Sequence, residues 1–243
     1  MLKSGQAPKV FSAPKDFNAP RAFFGRKSGK RMLRGQQELF DELLPNLEID
    51  LANNNVNIKK IFPNKQKIIL EIGYGGGEHL ARKAIENPEI GFIGCEVFTG
   101  GIGKLLQQIK THNIKNIRLF SDDAIKLLNA IDEKSIDEIY LLYPDPWPKK
   151  KHNKRRFVSK MTLDEMAKAL KPIGLFHFAT DIEDYANWTL AHILRHKSFT
   201  HNLNEPLFWH QPFIGWQATR YEKKAKKQGR DKSFYFTFEK CLF

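Results

Sequence analysis

From Lys67 to Lys197 short apolar runs alternate with longer amphipathic ones, and this alternation limits the folds open to the chain. Lys67–Gly73 (KIILEIG), Ile90–Val97 (IGFIGCEV), Ile117–Ser121 (IRLFS), Ile136–Pro144 (IDEIYLLYP) and Ile173–Thr180 (IGLFHFAT) are apolar runs of the kind found in strands buried on both faces. Between and after them, Glu78–Asn87, Gly100–Asn113, Ala124–Ile131, Thr162–Lys171 and Tyr185–Lys197 read as helices. Strand and helix in repeated alternation predict an α/β fold: a doubly wound, mostly parallel sheet with helices on both faces. Past Lys197 the pattern changes, and Ser233–Phe243 (SFYFTFEKCLF) predicts a closing strand.

Residues 1–35 carry prolines, cations and scattered phenylalanines without a period, which predicts a mobile basic arm ahead of one domain over 36–243. Gln36–Leu51 predicts a short helix ending near Pro45. A domain of this size buries a substantial core without disulfides. The only cysteines, Cys95 and Cys241, fit a reducing compartment. With no signal-like segment and no apolar run long enough to cross a bilayer, a cytoplasmic protein is expected.

The formal charge of +13 suits a polyanionic partner, and the cations gather at 21–34, 149–160 and 220–232. A membrane-surface helix fits poorly, because the 149–156 block lacks apolar residues at helical spacing. Metal catalysis has little support, since no His and Cys cluster has ligand spacing.

Two stretches carry chemistry. The first is Glu71-Ile72-Gly73-Tyr74-Gly75-Gly76-Gly77, a glycine turn between a strand and a helix. Glycine permits positive φ and close approach of backbone to ligand. The dinucleotide fingerprint needs a third glycine where Glu78 stands, so an NAD-dependent oxidoreductase is disfavoured. Glu71, just ahead of Gly73 and Gly75, would repel a phosphate and suits a cofactor with an ammonium and a sulfonium; a plain tight turn is the alternative. Glu96 ends the next strand, where an acid accepts hydrogen bonds from both ribose hydroxyls or is merely an exposed carboxylate. Asp122 and Asp123 follow the third strand, either to meet an adenine amine or to cap the next helix.

The second stretch is Pro144-Asp145-Pro146-Trp147, followed by Lys149, Lys150, Lys151, Lys154, Arg155 and Arg156. Two prolines hold the Asp145 backbone in a narrow range. Trp147 offers a face for a base to stack on, and the cations can neutralise phosphates. Taken singly, Trp147 could be a core aromatic and the cations a solvated loop. An acid, a flat ring and a cationic surface in one segment point to chemistry on a nucleic-acid base. A non-enzymatic RNA-binding protein would explain the charge but not acids after successive strands. A methyltransferase acting on an exocyclic base amine is the closest rival.

The glycine turn, Pro144-Asp145-Pro146-Trp147 with its His152-Asn153-Lys154-Arg155-Arg156 tail, and Thr219-Arg220-Tyr221-Glu222 resemble the bacterial tRNA (guanine-N7)-methyltransferases from about Arg26 onward. That resemblance implies a class I methyltransferase fold of seven strands with an antiparallel C-terminal strand. It implies S-adenosylmethionine as donor, held by Glu71, Gly73, Gly75, Glu96, Asp123 and Asp145, and tRNA as substrate, modified at guanine 46 of the variable loop. It implies that Asp145 is also the catalytic acid, and that Lys149, Asp181, Thr219, Arg220, Tyr221 and Glu222 bind substrate. Phosphate contacts are expected from Lys150, Lys151, Lys154, Arg155 and Arg156. No membrane and no obligate protein partner are implied. Family members often carry phenylalanine where this chain has Tyr221, a change that keeps the ring.

Overall fold

Every residue of β1 (Ile68–Ile72) and of β2 (Gly91–Cys95) is buried, because helices cover the sheet on both sides. The computed structural model describes residues 25, 27, 34–51, 56–201 and 209–242. Among them the sheet continues with β3 (Ile117–Phe120), β4 (Ile136–Leu142), β5 (Leu170–Thr180), β6 (Phe199–His201) and β7 (Phe234–Lys240). The spatial order is β3-β2-β1-β4-β5-β7-β6. The first five strands pair in parallel, and β7 runs antiparallel to both β5 and β6. This is the doubly wound sheet the alternation predicts, closed by the reversed late strand.

The helices are α1 (Arg34–Glu42), α2 (Leu44–Leu47), α3 (Ile58–Ile61), α4 (Glu78–Glu86), α5 (Thr99–His112), α6 (Ala124–Ala130), α7 (Lys160–Ala169), α8 (Glu183–Ile193) and α9 (Arg220–Lys227). Strand periodicity splits the core in two. Ile68, Leu70 and Ile72 of β1 pack with Leu127, Leu163 and Leu190 from α6, α7 and α8. Ile69 turns the other way, to Leu80 and Leu105 from α4 and α5. Full burial of such a side chain is worth about 1.5–3 kcal/mol over exposure. Glu71 shares the parity of Ile69 and is buried on the α4 side, so its carboxylate needs a partner there.

Three boundaries differ from the expectation. Pro45 does not end the first helix; α1 stops at Glu42, and Pro45 sits in the first turn of α2, where its missing N–H costs nothing. The helix expected over Thr162–Lys171 stops at Ala169, because Pro172 biases Lys171 toward extended backbone. The chain therefore enters β5 earlier than periodicity suggests, with a register shift between its first pair, Ile136 with Leu170, and the next, Glu138 with Leu175. The arm expected over 1–35 lies outside the described residues, save Gly25, Lys27 and the start of α1.

Candidate active site

β1 pairs with β2 on one side and β4 on the other, so the chain winds outward in both directions from this pair. The loops after β1 and β4 diverge there and leave a crevice at the carboxyl ends of the strands. Two adjoining cavities fill it, of about 400 and 410 Å³, and Gly73 and Tyr143 border both. That volume suits a ligand of cofactor size.

The glycine turn forms the floor between them. Gly75 has φ +58°, and its amide donates to Glu96 Oε2 at 2.8 Å. No atom lies within 4 Å of where a Gly75 β-carbon would stand, so the backbone is open to a ligand. Gly101, at the start of α5, meets the turn from the other side. A β-carbon there would be 2.2 Å from the Gly75 carbonyl oxygen.

Glu96 organises the first cavity. Besides the Gly75 amide it accepts from Val97 at 2.8 Å and Phe98 at 2.9 Å. Burial nevertheless pushes its carboxyl above the ordinary value of 4.5, and the charge of Asp145 adds to the rise. Asp122 and Asp123 line the same cavity. Asp123 caps α6 by accepting from the Ile125 amide at 3.1 Å. Asp122 is held below the usual carboxylate range, chiefly by its hydrogen bond from Lys126, and Lys27 approaches it at 3.9 Å. Asp123 is thus a helix cap and a cavity wall at once.

Asp145 is exposed at the rim of this cavity. The segment that presents it is bracketed by two residues in the left-handed region, Tyr143 at φ +49° and Trp147 at φ +43°. Such backbone costs of order 1–3 kcal/mol per residue and persists only where the surroundings enforce it. Trp147 lines the cavity with the Arg155 guanidinium 4.9 Å from its ring centre. Lys149, Lys150, Lys151 and Lys154 are exposed on the 3₁₀ turn Lys150–Arg155 and its entry.

Arg156 corrects the sequence reading. It was expected among the phosphate contacts, yet its side chain is fully buried. Nε donates to the Pro146 carbonyl at 2.8 Å, and Nη2 pairs with Asp184 of α8. The guanidinium lies 5.0 Å from the Tyr185 ring and 5.1 Å from that of Trp188. An inward cation beside an outward one is invisible in a run of basic letters.

The second cavity is bordered by Glu71, Gly75, Thr219, Arg220 and Tyr221. Glu71 therefore does not share a wall with Glu96 and Asp145. Its Oε2 is 2.7 Å from His79 Nδ1 of α4, a pair buried on both sides. The His79 ring packs 5.3 Å from Trp216, and Trp216 Nε1 donates to buried Glu222 at 2.9 Å. Thr219 caps α9 by accepting from the Glu222 amide at 3.1 Å. The Asp181 side chain is buried and accepts from Arg230 at 2.6 Å. Tyr143 sets its ring 5.2 Å from that of Tyr221, and its hydroxyl meets Ser233 at 3.1 Å and Tyr235 at 3.2 Å. His79, Trp216, Arg230 and Tyr143 escape sequence reasoning. Only Tyr143, next to Pro144, carries a local signal.

A family model described as "Putative methyltransferase" matches residues 65–235. The tRNA (guanine-N(7)-)-methyltransferase of Agrobacterium fabrum is 51% identical over 89% of this chain and 94% of that protein. The enzyme of the same name from Rhizobium meliloti is 48% identical over 90% and 95%. In fold, the chain is similar to the crystal structure of the aminoglycoside resistance methyltransferase NpmB1, with a TM-score of 0.55 and 11% identity over 75% of this chain and 91% of that one. The 16S rRNA methyltransferase KamB gives 0.54 and 12% over 75% and 92%. Four strand-end loops around one crevice, a glycine turn tied to Glu96, and near-complete alignment with these relatives lead to one conclusion: the chain belongs to the tRNA (guanine-N(7)-)-methyltransferase family.

Proposed function

We propose that this protein transfers the methyl group of S-adenosylmethionine to N7 of a tRNA guanine, guanine 46 of the variable loop. The observation that carries the reading is the first cavity, whose wall holds Glu96, Asp123 and Asp145 together, with burial first and the charge of Asp145 after it raising the Glu96 carboxyl. A cationic ligand relieves that repulsion. The apolar wall of Phe98, Ala124, Leu141 and Phe157 gives a flat ring somewhere to lie. These residues fit the donor, which supplies an electrophilic methyl on a sulfonium. Glu96 would hold its ribose, Asp123 its adenine amine, and the open backbone of Gly73 and Gly75 its amino-acid end, with Glu71 fixing the turn from beneath through His79.

Guanine N7 carries a lone pair and no proton, so the reaction needs no base. What it needs is alignment of the acceptor for in-line attack. Asp145 holds the base edge and stabilises the positive charge that develops on the ring. Trp147 supplies a stacking face. Lys149, Lys150, Lys151, Lys154 and Arg155 meet the backbone phosphates. Arg220 and Tyr221 close the substrate side. Asp181 and Glu222 are the readers of the guanine N1 and N2 donors, with Arg230 and Trp216 setting their orientation in the free protein. We read residues 1–35 as a basic arm preceding this catalytic domain. We place the protein in the cytoplasm, where its two free thiols meet no oxidant.

The test is incubation with labelled methyl donor and tRNA, followed by nucleoside analysis. 7-Methylguanosine is expected, lost when guanine 46 is replaced by adenine. Label in another nucleoside, or label that survives the replacement, overturns the assignment. Asp145→Ala is expected to abolish transfer and leave tRNA affinity intact; near-normal turnover removes Asp145 from the mechanism.

A further inference from the structure

The bend that presents Asp145 is held by more than its own two prolines. Tyr143 and Trp147, which flank it, both adopt backbone angles that side-chain-bearing residues avoid. Pro146 contributes a carbonyl that takes part in neither helix nor strand. Arg156, ten residues on, donates Nε to that carbonyl at 2.8 Å. Its remaining nitrogens reach α8: Nη2 pairs with the Asp184 carboxylate, and Nη1 lies 3.4 Å from the Asp184 carbonyl. The guanidinium also lies over the rings of Tyr185 and Trp188 from the same helix, at 5.0 and 5.1 Å. The grip extends one step further along the chain. Trp188 Nε1 donates to the Val158 carbonyl at 2.7 Å, and the Val158 amide lies 3.3 Å from the Tyr185 hydroxyl.

We infer that Arg156 is a positioning residue for Asp145. It ties the Pro146 carbonyl to α8 and so fixes the direction in which the adjacent carboxylate enters the cavity, without touching either substrate. The inference rests on the proposed role of Asp145 in methyl transfer. Arg155 and Arg156 then divide their work: one lies against Trp147 at the cavity, and the other fastens the bend from inside. Geometry explains why the inner residue is arginine. A planar fork donates in several fixed directions while its faces stack on aromatic rings, and a lysine ammonium does neither.

The experiment compares wild type, Arg156→Lys and Asp184→Asn in full-length protein. It measures kcat and KM for tRNA, the salt dependence of tRNA affinity, melting temperature, and amide hydrogen exchange over residues 143–149. Arg156→Lys keeps the charge, so a phosphate contact would survive it. A positioning role would not: kcat is expected to fall by about 100-fold, the scale of a misplacement near 1 Å. KM and the salt slope stay unchanged, and exchange over 143–149 speeds up. Asp184→Asn is expected to show the same signature more weakly. Asp184 has an exposed side chain, so this variant carries the test if Arg156→Lys fails to fold. Free guanidinium is expected to restore part of the kcat of Arg156→Ala, and methylammonium is not. Unchanged kcat in both Arg156→Lys and Asp184→Asn overturns the inference. So does a rise in KM with a reduced salt slope. Wild type that makes no 7-methylguanosine, yet shows Arg156-dependent protection of the bend, would instead defeat the proposed reaction and leave the fastening in place.

Discussion

Gly101 stands so close to Gly75 that a single added methyl would lie 2.2 Å from the Gly75 carbonyl oxygen. The start of α5 is thus pressed against the turn that floors both cavities. Gly101→Ala must push the turn or the helix away, and overpacking of this kind costs about 1–3 kcal/mol. The expected result is weaker binding of S-adenosylmethionine with tRNA affinity retained, read by calorimetry. Unchanged donor affinity would mean that the turn tolerates displacement.

Glu96 gives a pH signature. Its carboxyl is raised, first by burial and then by Asp145, so the folded protein holds this proton more tightly than the unfolded chain. Its contribution to stability is full below the ordinary value of 4.5 and is lost as pH rises through the raised value. Melting from about pH 4 to pH 8 should show that fall, and Glu96→Gln should flatten it. A cationic donor favours the ionised form, so its affinity in the wild type climbs over the same window. A donor affinity independent of pH would separate Glu96 from the donor.

Trp216→Phe keeps the ring contacts of this position but removes the only indole donor to Glu222 among the described residues. A hydrogen bond to a buried charged group contributes about 1.5–3 kcal/mol. The variant is expected to melt earlier and to show a raised KM for tRNA, while donor affinity holds. Equal losses in donor and tRNA binding would point to collapse of the crevice rather than of the α9 segment.

Charge reversal at Lys150 and Lys154, both exposed, should weaken tRNA binding and flatten its dependence on salt, the slope falling by about 1 for each phosphate no longer neutralised. Binding assays across a salt series measure this directly. A slope that does not move would place the RNA elsewhere on the surface.

Much of this was legible in the letters. Period-2 and period-3.6 patterns locate β1 to β5 and most of the helices, because burial on both faces of a sheet leaves a strong apolar record. Glu96, Asp123 and Asp145 could be found by position alone, since each follows a strand. The resemblance added the Thr219–Glu222 segment, which has no pattern of its own. What stayed hidden is the direction of side chains. Arg156 looks like its basic neighbours until α8 closes over it. Glu71 looks like one more rim acid until strand parity turns it toward His79. β6 is three residues long and too short for any period. Pairings between distant positions, such as Asp181 with Arg230, leave no local trace at all.

The insertion of β7 between β5 and β6 has a consequence for synthesis. A nascent chain released from the ribosome up to β6 would carry β5 with one edge unpaired and would lack the Thr219–Tyr221 wall altogether. Pairing so distant in sequence closes slowly, and an open edge invites association with other chains. The second cavity is therefore complete only after the segment that follows β6 has been made, and a message cut short before Phe234 should yield insoluble product rather than a weakly active fragment.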